Sequence, residues 1–496
     1  VEPVVEVTGG KIQGRTTAGV SAFLGVPYAA PPIGAARFQA PRPVREWDGV
    51  REATELGATC VQSDYPAEIA AILGKCRVPG PEYLNVNVWT PDPGGSGLPV
   101  MVWIHGGAFT RGSNAIPAYD GAAFARDGVV LVSVNYRLGA SGFAILDGAV
   151  PNRGLRDQLY ALAWVQENIR AFGGDPDNVT IFGESAGAMS VASLLGSPAA
   201  YGLFGKAIMQ SGNGGAACTL DDARLLGKEL AVALGIPATA EAFAAVEPGV
   251  LLAAQDAVYT ALTKNPDPAR WGASVLSGGI AVMTFLPVVD GEILTGLPID
   301  AIAAGSARDI AVLAGTNTEE FRLFTVPTGL GAAVTAEMLP YAIARFGIDP
   351  AVIDVYAEHR PDAAPGDLFA AIITDAAFRG PTRQLVQAQQ ALNPSAYLYE
   401  FAWRRTDDDL GAMHGLEIPF VFDTLAAAPS LSGPNPPQRI ADEMHSAWVE
   451  FAKSGDPGWP PYGDSRVVMT FDEPYSALVR DPRADENAGL PSPVTS

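Results

Sequence analysis

An α/β architecture, with a large, mostly parallel central sheet flanked by helices, is predicted by two features of this 496-residue chain. Apolar, strand-like runs ending near Ile104, Asn135, Phe182, Gln210, Ala314 and Ala402 alternate with helical stretches such as Leu155 to Ala171. That alternation is the pattern of a parallel sheet covered on both faces. In addition, the strand-like Asn178-Val179-Thr180-Ile181-Phe182 runs through Gly183-Glu184-Ser185-Ala186-Gly187 into Met189, Val191, Ala192, Leu194 and Leu195 at the spacing of a buried helix. A 48% hydrophobic content is ample for a large core, and no run approaches the roughly 18 uninterrupted apolar residues of a membrane span.

Before the main fold, Val4 to Val7, Lys11 to Thr16 and Val20 to Leu24 read as short strands, the first two joined at Gly9-Gly10, and predict a small N-terminal antiparallel sheet. Two Ala-rich segments, about 214–304 and 325–392, carry helical periodicity rather than strands. They are expected as helical insertions that wall and lid a substrate cleft, with helices that simply cover the sheet as the plainer reading for most of their length, within a single catalytic domain spanning 1–496. Gly235-Ile236-Pro237 and Pro327-Thr328-Gly329 suit loops between those helices. There is no internal repeat, low-complexity linker, P-loop or dinucleotide fingerprint.

The string Gly183 to Gly187 is a G-x-S-x-G pattern, a strand-to-helix turn that projects its serine above a sheet, which makes Ser185 the candidate nucleophile. A nucleophilic serine needs a base, a group that orients the base, and donors for an oxyanion. The order serine, acid, histidine excludes His105 and leaves His359, His414 and His445. His359 sits in a very polar run and reads as a solvated surface residue, while His445 lies in a stretch with helical periodicity. His414, between Gly411-Ala412-Met413 and Gly415-Leu416-Glu417-Ile418-Pro419, suits a loop beside a cleft. The acid should follow the strand Asp309 to Ala314, where Glu319 and Glu320 both qualify and spacing does not choose between them. Val100 to Ile104 runs as a buried strand into His105-Gly106-Gly107-Ala108-Phe109, so the N–H groups of Gly106, Gly107 and Ala186 are the expected oxyanion donors. His105 itself reads as a structural hydrogen-bonding residue.

These motifs make the chain resemble the type B carboxylesterases, the α/β-hydrolase family that includes the cholinesterases, over almost its whole length. Phe23-Leu24-Gly25-Val26-Pro27-Tyr28-Ala29 with Arg37-Phe38 and Pro41 is similar to the family's opening signature. Leu84 to Pro91, Asn135-Tyr136-Arg137-Leu138, Gly154 to Gln158, Phe172 to Pro176, Gln210-Ser211-Gly212, Trp448, and Trp459 to Tyr462 follow in order. The resemblance implies an α/β-hydrolase fold and a serine carboxylesterase acting through an acyl-enzyme. It places the acid at Glu320 and the base at His414, in a loop of H-x-x-E type. It also implies supporting roles for Ser211 and for Glu184, immediately before the nucleophile. An amidase or carbamate hydrolase using the same residues is the alternative. A non-enzymatic adhesion homologue is not expected, because the full residue set is present.

Departures from the family pattern carry expectations too. Relatives close a disulfide on a loop ending S-E-D-C-L, but Tyr83 stands where that cysteine would fall, so Cys60 and Cys76 are the candidates for a shorter bridge, worth roughly 3 kcal/mol by the entropic model. Cholinesterases carry a tryptophan in this loop that stacks on the choline cation. Residues 61–82 contain none, and Tyr65 is their only aromatic, so the expected substrates are small-to-medium apolar esters rather than choline esters.

The 54 acidic residues against 32 basic ones give a net charge of −22, which argues against nucleic acid as a partner and mildly favours neutral or cationic substrates. Four dispersed histidines and three cysteines without a C-x-x-C pair predict no metal site, and no cofactor is expected. The chain begins at Val1 without methionine or an apolar signal region, the expectation being that a leader has been removed or the chain trimmed; scarce cysteine slightly favours the cytoplasm, whereas a Cys60–Cys76 bridge would suit export. The sequence does not choose between monomer and dimer.

Overall fold

A computed structural model describes residues 2–280, 283–488 and 490. Sixteen strands are distributed along them: β1 (Val4–Val7), β2 (Gly10–Gln13), β3 (Arg15–Thr17), β4 (Val20–Pro27), β5 (Val50–Glu52), β6 (Asn85–Thr90), β7 (Leu98–Ile104), β8 (Val130–Val134), β9 (Gly174–Glu184), β10 (Lys206–Gln210), β11 (Cys218–Thr219), β12 (Val288–Val289), β13 (Ala311–Asn317), β14 (Ala396–Phe401), β15 (Val467–Phe471) and β16 (Ala477–Arg480). Eleven of them form one sheet in the order β16-β15-β14-β13-β10-β9-β7-β8-β6-β4-β3. The run from β15 to β8 is parallel, and antiparallel strands close both edges.

Both faces of that sheet are covered, and β7 shows how. Val100, Val102 and Ile104 enter one core with Leu162, Val165, Val191 and Ala192 from the helices Arg153–Asn168 and Ala186–Leu195. Met101 and Trp103 enter the opposite core with Met444, Trp448 and Phe451 of the helix Gln438–Ser454. Successive side chains of a strand point to opposite faces, so a strand buried on both reads as the unbroken apolar run seen in the sequence.

The small N-terminal sheet is present but composed differently from the expectation. β1 and β2 pair antiparallel through Gly9-Gly10, and their third strand is β5, parallel to β2. Val20 to Leu24 belongs instead to β4, antiparallel to β6 in the large sheet. Its five residues are all buried, and only the large sheet supplies cover on both faces. The first insertion also holds a short parallel pair, β11 with β12, among its helices. The second insertion is helical, from Leu330–Ala333 to Gly380–Gln390, and contains a π-helical turn at Asp375–Arg379. No helix among the described residues is long and apolar enough to cross a membrane.

Candidate active site

The candidate residues converge at the carboxyl ends of neighbouring parallel strands, where α/β sheets bind their ligands. Gly106 follows β7, Ser185 follows β9, Ser211 follows β10 and Glu320 lies three residues beyond β13. Ser185 has φ 55° and ψ −124°, an uncommon conformation for a residue with a side chain, and persists because its surroundings over-determine it. Its N–H donates to Gln210 O at 2.9 Å and its carbonyl accepts the Met189 N–H at 2.9 Å. The flanking glycines answer to space rather than to φ. A Cβ on Gly187 would lie 1.9 Å from Ile104 O, and one on Gly183 would lie 2.6 Å from the same oxygen.

The loop after β7 is pressed against this elbow. A Cβ on Gly106 would sit 2.7 Å from Glu184 O and 3.0 Å from Ser185 Cβ, so only glycine fits there. Gly107, Ala108 and Phe109 all have positive φ, two of them without glycine's freedom. The Gly107 carbonyl accepts the N–H groups of Thr110 and Arg111. Among the described residues, no loop, turn or cap carbonyl receives the N–H of Gly106, Gly107 or Ala186. Three donors are therefore unspent beside Ser185. His105 braces the loop: its Nδ1 contacts Gly106 O at 2.8 Å and its ring stacks on Tyr136 at 4.6 Å. Burial pushes it down to about 4 against the Gly106 contact, so it stays neutral and serves as the structural residue anticipated.

Of the two acid candidates, Glu320 reaches the histidine. It is fully buried, its Oε2 lies 2.6 Å from His414 Nδ1, and its Oε1 accepts from Ser211 Oγ at 2.6 Å and from the Asn317 N–H at 2.8 Å. Glu319 turns outward to Arg404 at 2.8 Å and caps the Ala412 N–H. His359 pairs with Asp485 at the surface, and His445 is held between Val421 O and Asp127, so neither joins the site. Phe324 and Phe378 pack on the His414 ring at 5.5 and 4.9 Å. Phe378 comes from the π-helical turn, which brings the second insertion to the site.

The other ring nitrogen, His414 Nε2, is 3.1 Å from Glu184 Oε1. That oxygen makes no hydrogen bond, so the contact has ion-pair distance without hydrogen-bond alignment. Burial raises the Glu184 carboxyl to about 8, opposed by His414 and reinforced by Glu417 and Glu320. Burial alone would lower His414, but Glu184 and Glu320 outweigh it and hold the imidazole up at about 9. Among the described residues no hydrogen bond joins Ser185 Oγ to His414; catalytic hydrogen bonds are often long or misaligned without substrate.

A second polar layer lies beneath, which the sequence reading did not assign. Trp448 Nε1 donates to Gln210 Oε1 at 3.0 Å, and Gln210 Nε2 donates to Glu417 Oε1 at 3.0 Å. Asn317 Nδ2 donates to Glu417 Oε2 and to Met413 O, both at 2.7 Å. This network ties the His414 loop to β10 and β13. Its visible signals were the spacing of Glu417, three residues after His414, and the places of Gln210 and Trp448 in the family pattern, none of which assigned them a role. Tyr65 also lies near the site, with Arg111 over its ring at 5.2 Å; burial raises its hydroxyl to about 12, with Arg111 opposing and Glu184 adding.

The expected Cys60–Cys76 bridge is not formed. Both are free thiols, as is Cys218. Cys60 is buried with its Sγ 3.1 Å from Tyr136 O, while Cys76 sits half-buried in another environment.

This assembly of elbow, glycine loop and buried carboxylate–histidine pair has close counterparts. Residues 1–483 match the family model described as the Carboxylesterase family. The chain belongs to that family. It is 37% identical to the para-nitrobenzyl esterase of Bacillus subtilis, over 98% of each chain. It is 32% identical to the cholinesterase of Mus musculus, over 94% of this chain and 82% of that one. Among solved structures, the carboxylesterase of Geobacillus stearothermophilus superposes with a TM-score of 0.84 at 36% identity, covering 98% of this chain and all of the other. As a carboxylesterase family member with an α/β-hydrolase fold, the protein is a carboxylic ester hydrolase acting on small molecules.

Proposed function

We propose that Ser185, His414 and Glu320 carry out ester hydrolysis as nucleophile, general base and orienting carboxylate. His414 takes the Ser185 proton as Oγ attacks the ester carbonyl, then returns it to the departing alcohol. The oxyanion is received by the N–H groups of Gly106, Gly107 and Ala186, and water cleaves the acyl-enzyme by the same route. The observation that carries this reading is the Glu320 carboxylate. Ser211 and Asn317 hold one of its oxygens, leaving the other on His414 Nδ1 at 2.6 Å, beside the strained Ser185 elbow. Ser211 and Glu184 act on the geometry and charge of the pair rather than on the substrate.

Small-to-medium apolar esters are the substrate class this site suits. Phe324 and Phe378 stand at the imidazole, and Ala186 and Met189 share a core with Ala217, Phe285 and Leu286 of the first insertion. Residues 1–496 are read as one catalytic domain, since the large sheet takes strands from Arg15 to Arg480.

The test is hydrolysis of p-nitrophenyl esters of increasing acyl length by the wild type and by Ser185→Ala. The variant should lose on the order of 10⁶ in kcat, as when the nucleophile of a serine hydrolase is removed. Activity that survived in the variant would remove Ser185 from its role. A matched ester and amide pair should favour the ester, and faster amide turnover would overturn the choice of substrate class.

A further inference from the structure

A cavity of about 160 Å³ opens between the N-terminal segment and the helix Pro248–Lys264, and no candidate catalytic residue lines it. Its lining combines apolar walls, among them Ile33, Val61, Val246 and Leu251, with the polar groups of Arg37, Tyr83 and Ser141. Ile33 and Val61 are more than half exposed at its mouth, which leaves apolar surface unused there.

Arg37 is 9% exposed, yet its guanidinium is only partly satisfied. Nε donates to Ser141 Oγ at 3.3 Å and Nη1 donates to Val246 O at 2.8 Å, while Nη2 has no partner among the described residues. Two neighbouring arginines show the contrast. Arg137 is paired with Asp157 at 2.7 Å, and Arg153 spends its donors on the carbonyls of Ala140, Ser141, Ala144 and Val150. The Tyr83 hydroxyl, 9% exposed as a residue, likewise has no hydrogen-bond partner among the described residues, and neither atom is sealed from solvent. Arg37 is the one charged residue lining the cavity, with the exposed Glu247 as its carboxylate neighbour, whereas the Arg137 charge is met by Asp157. A buried cation with unspent donors is costly unless an anion or water completes it.

We propose that this cavity is a second ligand site, for a small monocarboxylate with a short aliphatic or aromatic body, the class of acid that an ester hydrolase releases. The carboxylate is received by Arg37 Nη2 and the Tyr83 hydroxyl, and the apolar body lies on Val61, Val246 and Leu251. The apolar lining selects against inorganic phosphate or sulfate, which would leave that surface uncovered.

The experiment is calorimetric titration of benzoate into the full-length enzyme after inactivation by a serine-directed phosphonate, which fills the catalytic cleft. One benzoate per chain is expected to bind the inactivated enzyme. Arg37→Gln should weaken it at least tenfold, Tyr83→Phe severalfold, and neutral benzamide should bind at least tenfold more weakly than benzoate. Tyr83→Phe removes a hydroxyl that no protein group uses, so it decides the matter if Arg37→Gln does not fold. Failure of benzoate to bind the inactivated enzyme, equal affinity in Tyr83→Phe, or equal binding of benzamide would each overturn the site.

Discussion

The proton on His414 is contested by two carboxylates, Glu320 at Nδ1 and Glu184 at Nε2, and the second contact has a kinetic consequence. Only the neutral imidazole can accept the Ser185 proton. Burial disfavours the charged ring, but the two carboxylates prevail and hold it up at about 9, so the reactive form grows as pH rises towards that value. The acid limb of kcat/KM should therefore lie above the ordinary histidine range of about 6.5. Replacing Glu184 by Gln deletes one of the charges that retain the proton, and the limb should move to lower pH, by about 1 pH unit. A pH–rate profile of Glu184→Gln on a p-nitrophenyl ester checks this. A limb unmoved by the substitution would mean that Glu184 does not act on the imidazole in solution.

At the level of elements, the site depends on how closely the end of β7 approaches the elbow between β9 and the helix Ala186–Leu195. A Cβ on Gly187 would lie 1.9 Å from the Ile104 carbonyl oxygen, a backbone atom that cannot rotate away. Gly187→Ala should therefore cost at least about 3 kcal/mol of stability, or abolish soluble expression, as measured by urea unfolding. A variant that unfolds like the wild type would show that β7 can yield. The same elbow marks what was legible in the sequence. Strand, G-x-S-x-G turn and helix are contiguous, so local patterning exposes them, and the glycine loop after β7 is equally local. The choice between Glu319 and Glu320 is tertiary: adjacent residues point to Arg404 and to His414, and only the fold or the family pattern separates them. Gln210, Asn317, Glu417 and Trp448 come from four distant segments of ordinary polarity, and nothing in their spacing says that they meet. Val20 to Leu24 reads as a strand correctly, but its sheet depends on which partner can cover both of its faces. Cys60 and Cys76 are close in sequence, yet Cys60 is buried on Tyr136 O and takes no partner thiol.

Over the whole molecule, the 54 acidic residues against 32 basic ones give a net charge of −22. Such a field concentrates cations near the cleft and is weakened by salt, since the Debye length falls from about 30 Å at 0.01 M to about 8 Å at 0.15 M. A dedicated cation pocket would behave differently, because stacking on an aromatic face is local and little screened. Segment 61–82 has no tryptophan, and the ring of its one aromatic residue, Tyr65, is already covered by Arg111 at 5.2 Å. Any preference for a cationic ester should therefore come from the field alone. With an ester bearing a quaternary ammonium and its neutral tert-butyl counterpart, the kcat/KM ratio should favour the cation at 10 mM ionic strength. That advantage should shrink at least about twofold at 150 mM, while the neutral ester changes little. A cation preference that persisted undiminished in salt would reveal an aromatic cation site at this cleft and overturn the assignment to apolar esters.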